Sequence, residues 1–224
     1  MSNQRLVLLR HGRTAWNAER RFQGQADPPL DEVGRAQAYE VAALVAALHP
    51  DRIVTSDAQR AAVTAQIVAD ACGLELASDP RLRERSLGHW EGLTRDEVAE
   101  RYPDEFADWV SGRDVSRRGG ETRLQVAARA REAFDELDTA GLVVLVTHSA
   151  TAMALTANLL GMDQQMHVLG PLANCHWSEL TLELHADVPA VWRLRAHNIG
   201  APGVVSPLPA RLGTPGDDAS DADA

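Results

Sequence analysis

The sequence predicts an α/β protein with a central sheet, mixed but mostly parallel, and helices on both of its faces. Three observations carry this. Residues 6–9 (LVLL) and 142–146 (LVVLV) are unbroken apolar runs, as in strands buried on both faces of a parallel sheet. Alanine-rich helical stretches separate the strand candidates through most of the chain, the alternation of a sheet covered by helices. Residues 176–184 (HWSELTLEL) and 191–198 (VWRLRAHN) instead alternate apolar with polar residues, as half-exposed antiparallel strands do.

The first strand, 6–9, runs into Arg10 and His11. Asp27-Pro28-Pro29 breaks the chain, and Asp31 caps a helix that passes through VAALVAAL and stops at His49-Pro50-Asp51. Residues 52–55 form a short strand. A second Ala-rich helix spans about 58–71 and is stopped by Gly73. LELAS, 74–78, is a short third strand. Residues 80–120 change character: charge, Trp and Gly dominate, and only short helices fit, at 95–101 and 103–111. This stretch is expected to be an insertion laid over the sheet. Thr122 caps a long helix to Asp138, ended by Gly141. The most hydrophobic strand, 142–148, ends on His148, and a helix at 150–160 is closed by Gly161. Pro, Gly, Ala and Asp dominate 200–224, which predicts a disordered acidic tail. One domain over 1–199 is expected, with the 86–120 insertion over its active site.

The chain has 224 residues, 45% of them hydrophobic, enough to bury a substantial core. A formal net charge of −10 disfavours nucleic acid and anionic membrane surfaces as partners. Any affinity for anions has to come from a local cluster of arginines. No apolar run suits a signal peptide or a membrane span, so the cytoplasm is the expected compartment. Cys72 and Cys175 stand outside any CxxC pair and read as free thiols. His89, His167, His176, His185 and His197 lack metal-ligand spacing, and no metal or cofactor is expected.

Two core strands end on histidine. In open α/β sheets ligands bind beyond the carboxyl ends of strands, so His11 and His148 are expected to face one crevice. Arg60 follows the strand at 52–55. Arg10, His11, Arg60 and His148 would then share a pocket in an otherwise acidic protein. Phosphate suits such a cluster, because Arg presents a planar fork to phosphoryl oxygens. Taken singly, these residues have ordinary alternatives. Arg60 reads equally as a solvated helix residue, Glu84 as part of a surface ion-pair run in RLRER, and Thr14 and Asn17 as caps of the turn after the strand.

Arg10-His11-Gly12-Arg13-Thr14-Ala15-Trp16-Asn17 resembles the RHGxTxxN signature of the histidine phosphatase superfamily, the phosphoglycerate mutase-like proteins. Ser56-Asp57-Ala58-Gln59-Arg60-Ala61 resembles its SDxxRA motif. Leu82-Arg83-Glu84 followed by Gly88-His89-Trp90-Glu91-Gly92 resembles its acid-bearing segment, and Val146-Thr147-His148-Ser149 stands where the family has its second histidine. Four motifs in the family's order are far more specific than RHG alone.

The resemblance implies a phosphoglycerate mutase-like fold and a phosphohistidine mechanism without a cofactor. It implies His11 as nucleophile, its tautomer held by a hydrogen bond. Gly12 would leave the phosphate uncrowded. Arg10, Arg60 and His148 would clamp the phosphoryl oxygens, with Asn17 as a further donor. Glu84 would protonate the leaving oxygen and then take a proton from water. Arg83 and Arg85 would oppose protonation of Glu84 if they pointed inward. Gln23 and Gly24 would border the phosphate. Ser149 departs from the family's Gly, yet its N–H at a helix N-terminus would still meet a phosphate oxygen.

Within the family, FQGQAD (22–27), LGHWEGLT (87–94), GGETR with VAAR (119–129) and WRL (192–194) resemble the actinobacterial glucosyl-3-phosphoglycerate phosphatases. The stretch after Glu84 is short and acidic and lacks the mutase pattern HYGxLxGLNK, which implies water as the phosphoryl acceptor. Hydrolysis of a small phosphorylated metabolite is expected, with glucosyl-3-phosphoglycerate as one candidate. A phosphoglycerate mutase and a broad-specificity or α-ribazole-type phosphatase are the alternatives. An inactive phospho-ligand binding module would be expected to lack His11 or Glu84. Specificity is expected from Trp90, Trp109, Arg113, Arg117 and Arg118 of the insertion. The alternating segments at 176–184 and 190–197 offer an edge for a homodimer.

Overall fold

The computed structural model describes residues 4–137, 141–164, 168–184 and 189–201. The expected helix end at Asp138, His167, His185 and the tail beyond residue 201 lie outside the described residues. The strands are β1 (Arg5–Arg10), β2 (Arg52–Thr55), β3 (Leu76–Ser78), β4 (Leu142–Thr147), β5 (Trp177–Glu183) and β6 (Val191–Ile199). The helices are α1 (Ala15–Ala18), α2 (Glu32–Ala46), α3 (Gln59–Cys72), α4 (Arg95–Arg101), α5 (Pro103–Val110), α6 (Arg123–Asp135) and α7 (Ser149–Leu159). The strands form one sheet in the order β3-β2-β4-β1-β5-β6. β1 to β4 are parallel, whereas β5 is antiparallel to both of its neighbours and runs against the rest.

Strand alternation divides the core in two. Val7, Leu9, Val144 and Val146 face α2 and α3, where they meet Ala38, Val41, Ala65 and Val68. Leu6, Leu8, Val143 and Leu145 face α6 and α7, against Ala130, Phe134, Ala152 and Leu155. Both faces of β1 and β4 are covered, which is why neither strand carries polar alternation. Each fully buried Leu or Val contributes about 1.5–3 kcal/mol.

The expected caps set most helix ends. Asp31 Oδ1 accepts from Gly34 N at 2.7 Å, Gly73 closes α3 in the left-handed region, and Thr122 forms a capping box with Gln125. Thr14 and Asn17 form another around α1. At α7 the cap is His148, which has no side-chain cap bond, and Ser149 is the first helical residue.

The insertion builds a small core of its own. Trp90, Val98 and Val115 are buried in it, with Phe22, Tyr102, Phe106 and Trp109 packed around them. This corrects the expectation for its side chains. Trp90 is 0% exposed, and its indole N–H donates to Glu105 Oε2 at 2.8 Å. Arg118 is buried beneath the Trp90 ring, 5.3 Å from its centroid. Arg113 and Arg117 both pair with Asp108, each at 2.6 Å. A lone layer of short helices needs large side chains to make a core, and Trp90, Trp109 and Arg118 serve that need, whereas Arg113 and Arg117 stay largely exposed.

The entry of α2 passes close under the loop after β1. A Cβ on Gly34 would meet Arg13 N at 2.6 Å and Arg13 C at 2.8 Å. Alanine is the better helix former by about 1 kcal/mol, but here backbone meets backbone and neither side has room to give. Gly34→Ala is expected to lower the unfolding free energy by about 1–3 kcal/mol, the usual range for overpacking. Urea titration measures this, and an unchanged midpoint would mean that the loop shifts freely.

Candidate active site

The pairing of β1 with β4 places Arg10 opposite Thr147, so His11 and His148 emerge side by side from the sheet. His11 N donates to the Thr147 carbonyl at 3.0 Å, and the two rings lie edge to face with centroids 5.0 Å apart. β2 flanks β4 on its other side and delivers Ser56, whose Oγ is 3.0 Å from His148 Nε2. α3 starts just after it and turns Arg60 inward to 1% exposure. The four residues expected in one pocket are together, and Arg60 is not a solvated helix residue.

His11 Nδ1 lies 2.7 Å from the Gly12 carbonyl. A carbonyl only accepts, so Nδ1 carries the proton and the neutral ring keeps its lone pair on Nε2. Burial, then Arg10 and Arg60, hold the His11 pKa well below 6.5, against the Gly12 bond, which raises it. Burial, then Arg60, His11 and Arg10, do the same to His148. Burial brings Arg10 down to about 10 and lowers Arg60, leaving both cationic at neutral pH. Gly12 has a packing reason as well: a Cβ there would strike the backbone of Gly34.

Backbone carbonyls hold the arginines. Arg10 Nη1 donates to Leu172 O at 2.6 Å. Arg60 donates to Ala26 O at 2.7 Å and to Gly24 O at 2.9 Å. Gly24 has a φ of +52°, and that turn aims its carbonyl. Thr64 Oγ1 accepts from Gly12 N at 3.1 Å and donates to Arg60 O at 2.7 Å, tying the loop after β1 to α3. Arg10 Nε, Arg60 Nε, His148 Nδ1 and Gln23 Oε1 are buried without a partner among the described residues. Buried polar groups are normally paired. Three of these four are able to donate, and an anion in the crevice would pair them.

Glu84 occupies the N-terminus of α7. Its Oε1 accepts from Arg85 N at 2.8 Å and Thr151 N at 3.2 Å, and its Oε2 from Ala150 N at 3.2 Å. A helix whose cap residue lacks a capping side chain leaves its first N–H groups open, and this carboxylate takes two of them, at Ala150 and Thr151. Ser149 instead accepts from Leu172 N through Oγ at 3.1 Å, bracing the residue that holds Arg10. Arg83 pairs with Asp57 at 2.6 Å, and Arg85 pairs with Asp114, so their guanidiniums are directed elsewhere than at Glu84. Glu84 favours the charged forms of both Arg10 and Arg60.

Asn17 Oδ1 accepts from Thr14 N and Thr14 Oγ1, both at 3.1 Å, and from Asn174 Nδ2 at 3.3 Å. Asn174 also donates to His11 O at 3.1 Å. The capping reading of Asn17 therefore holds, and its own amide N–H groups remain for a ligand. Sequence reasoning missed Ser56, Thr64 and Asn174 as site residues, because small polar side chains carry no spacing signal. It also missed Arg129, noted only as part of VAAR. Arg129 makes a bidentate pair with Glu121 (2.7 and 2.9 Å) and donates to the carbonyls of Arg81, Arg83 and Glu84 (2.5, 2.7 and 3.1 Å). It staples the backbone that carries Glu84. Among the described residues no group of three or more His, Cys, Asp or Glu is placed to hold a metal ion.

The comparisons agree with this geometry. The model of the histidine phosphatase superfamily (branch 1) matches residues 6–196. A glucosyl-3-phosphoglycerate phosphatase of Mycolicibacterium vanbaalenii is 39% identical over 218 residues, covering 90% of this chain and 97% of the relative. A probable phosphoglycerate mutase GpmB of Yersinia enterocolitica is 37% identical over 195 residues, 84% of this chain and 89% of its own. The structure of a mycobacterial glucosyl-3-phosphoglycerate phosphatase with inorganic phosphate superposes with a TM-score of 0.77 at 36% identity, covering 88% of this chain and 98% of that one. With two histidines, two buried arginines and a carboxyl gathered at the strand ends, and a family match along nearly the whole sheet, the chain belongs to the histidine phosphatase superfamily.

Proposed function

We propose that the protein hydrolyses a small phosphomonoester through a phosphohistidine at His11, with glucosyl-3-phosphoglycerate as the leading substrate. The observation that carries this reading is the neutral His11 ring, with Nδ1–H fixed on Gly12 and Nε2 free, beside Arg10, Arg60 and His148. The Nε2 lone pair attacks phosphorus while the bond from phosphorus to the ester oxygen breaks. Glu84 gives that oxygen a proton. Arg10, Arg60, His148 and Asn17 hold the non-bridging oxygens and stabilise the transferring charge. Glu84 then takes a proton from water, the oxygen of that water attacks phosphorus, and the phosphorus–nitrogen bond breaks to release phosphate and restore His11. Gln23 and Ser149 support the walls of this pocket. The names of the relatives support the substrate. The two free thiols favour a reducing cytoplasm. The β6 edge is the surface offered for a homodimer, and sedimentation as a monomer would end that part of the reading.

His11→Ala is expected to lower phosphate release by about a thousandfold or more, and an acid-labile phosphate on the wild-type chain, trapped from radiolabelled substrate, should be absent from the variant. A variant as active as the parent would overturn the mechanism. Glu84→Gln should cost about 10²–10⁴-fold in kcat/KM, which stops at release of the leaving group, with an alkyl phosphate and much less with p-nitrophenyl phosphate, whose leaving group needs no proton. Equal losses on both would remove Glu84 from the acid role.

The histidine shifts give a pH dependence of stability. The unfolded chain binds protons at these side chains near 6.5, whereas the folded rings stay neutral to lower pH. The unfolded state then holds more protons, so stability is complete above 6.5 and declines as pH falls below it, until the folded rings protonate. Urea midpoints followed through this window should decline less for His148→Gln than for the wild type. Parallel declines would mean that His148 protonates as freely folded as unfolded.

A further inference from the structure

The two histidines of the crevice stand side by side, and the proposed reaction asks opposite things of them. His11 has to present a lone pair to phosphorus. His148 has to present an N–H to a phosphoryl oxygen. A neutral imidazole has one N–H and one lone pair, so each role depends on which nitrogen is tied, and to what. For His11 the tie is the Gly12 carbonyl, which accepts from Nδ1 and leaves Nε2 free. For His148 the tie lies on the other nitrogen: Nε2 is 3.0 Å from Ser56 Oγ.

A hydroxyl, unlike a carbonyl, both donates and accepts, so its surroundings decide. Ser56 is fully buried. The pairing of Thr55 with Val146 brings it beside the end of β4. Its N–H donates to Val146 O at 3.0 Å, and its carbonyl accepts from Thr55 Oγ1 at 3.0 Å, which fixes its backbone. Its Oγ has two partners among the described residues, Ala58 N at 3.3 Å and His148 Nε2. Ala58 N–H only donates. The hydroxyl hydrogen therefore has one acceptor in reach, the Nε2 lone pair. In the reverse arrangement Nε2–H would donate to Oγ, and the buried hydroxyl hydrogen would be left without an acceptor, a costly state. With Ser56 as donor, the ring proton sits on Nδ1. Nδ1 is the buried nitrogen of His148 that has no partner among the described residues. It is thus a donor still unspent, next to Arg10 and Arg60.

We propose that Ser56 is a positioning residue for phosphoryl transfer: by donating to Nε2 it holds His148 in the Nδ1–H tautomer and makes it a hydrogen-bond donor to the phosphoryl group. The other tautomer would turn a lone pair toward the anion and repel it. The two neighbouring rings then carry their protons on the same atom and play opposite parts, because one is tied at Nδ1 by a carbonyl and the other at Nε2 by a hydroxyl. The inference rests on the phosphohistidine reading for the use of His148, whereas the tautomer is measured without turnover.

The test is nitrogen NMR of the full chain with isotope-labelled histidine at neutral pH, the signals lost in His148→Gln being those of His148. The wild type is expected to show His148 protonated at Nδ1 and unprotonated at Nε2. In Ser56→Ala the Nε2 signal should move toward the protonated position. The same variant should lose about ten- to a hundredfold in kcat/KM, the range for one hydrogen bond to a charged group. The loss should be equal on glycerol 3-phosphate and p-nitrophenyl phosphate, since His148 acts on the transferring group and not on the leaving oxygen. Ser56→Thr keeps the hydroxyl and should restore the wild-type ring signals and most of the rate. A wild-type His148 protonated at Nε2 overturns the proposal whether or not the variants fold. Ring signals unmoved in a folded Ser56→Ala, or a loss confined to glycerol 3-phosphate, overturn it as well. Activity that survives His11→Ala overturns the phosphohistidine reading instead, while the ring signals still decide whether Ser56 sets the tautomer.

Discussion

The register between β1 and β4 is the constraint on which the rest depends. Arg10 opposite Thr147 means that each strand spends its last apolar residue at the same level and then delivers a histidine. One residue of slip would turn His11 toward the other face and separate the two rings. The register is secured by the alternation that fills two cores, with Val7 and Leu9 on one face and Leu6 and Leu8 on the other. The packing of the sheet and the geometry of the crevice are thus one arrangement.

Gathering Arg10, Arg60 and two histidines in one buried place has a consequence for charge. The arginines stay ionised because carbonyls of Leu172, Gly24 and Ala26 take their N–H groups and Glu84 lends a negative field. The histidines, with weaker claims on a proton, go neutral. Burial and the same two cations thus keep His11 unprotonated, the form that the proposed nucleophile needs.

Glu84 shows how one helix end serves two needs. α7 begins without a capping side chain, and the carboxylate closes its first turn while standing next to both arginines. Its backbone is held from behind by Arg129, whose guanidinium reaches Glu121 and the carbonyls of Arg81, Arg83 and Glu84.

The sequence by itself determined the strands that are buried on both faces, the caps at Asp31, Gly73 and Thr122, and the convergence of His11, Arg60 and His148. Each of these is written in local pattern, as apolar runs, cap residues and strand-end position. The four ordered motifs added the family. Tertiary structure alone decided what faces what. A Cβ on Gly12 would strike the backbone of Gly34, Trp90 and Arg118 fill the insertion's core, and Glu84 accepts from the Ala150 and Thr151 N–H groups in the first turn of α7. The contacts of Arg129 with Arg81 and Glu84 join residues some 45 positions apart. No local pattern encodes such a meeting, because it depends on how α6 lies against the chain that leaves the sheet after β3.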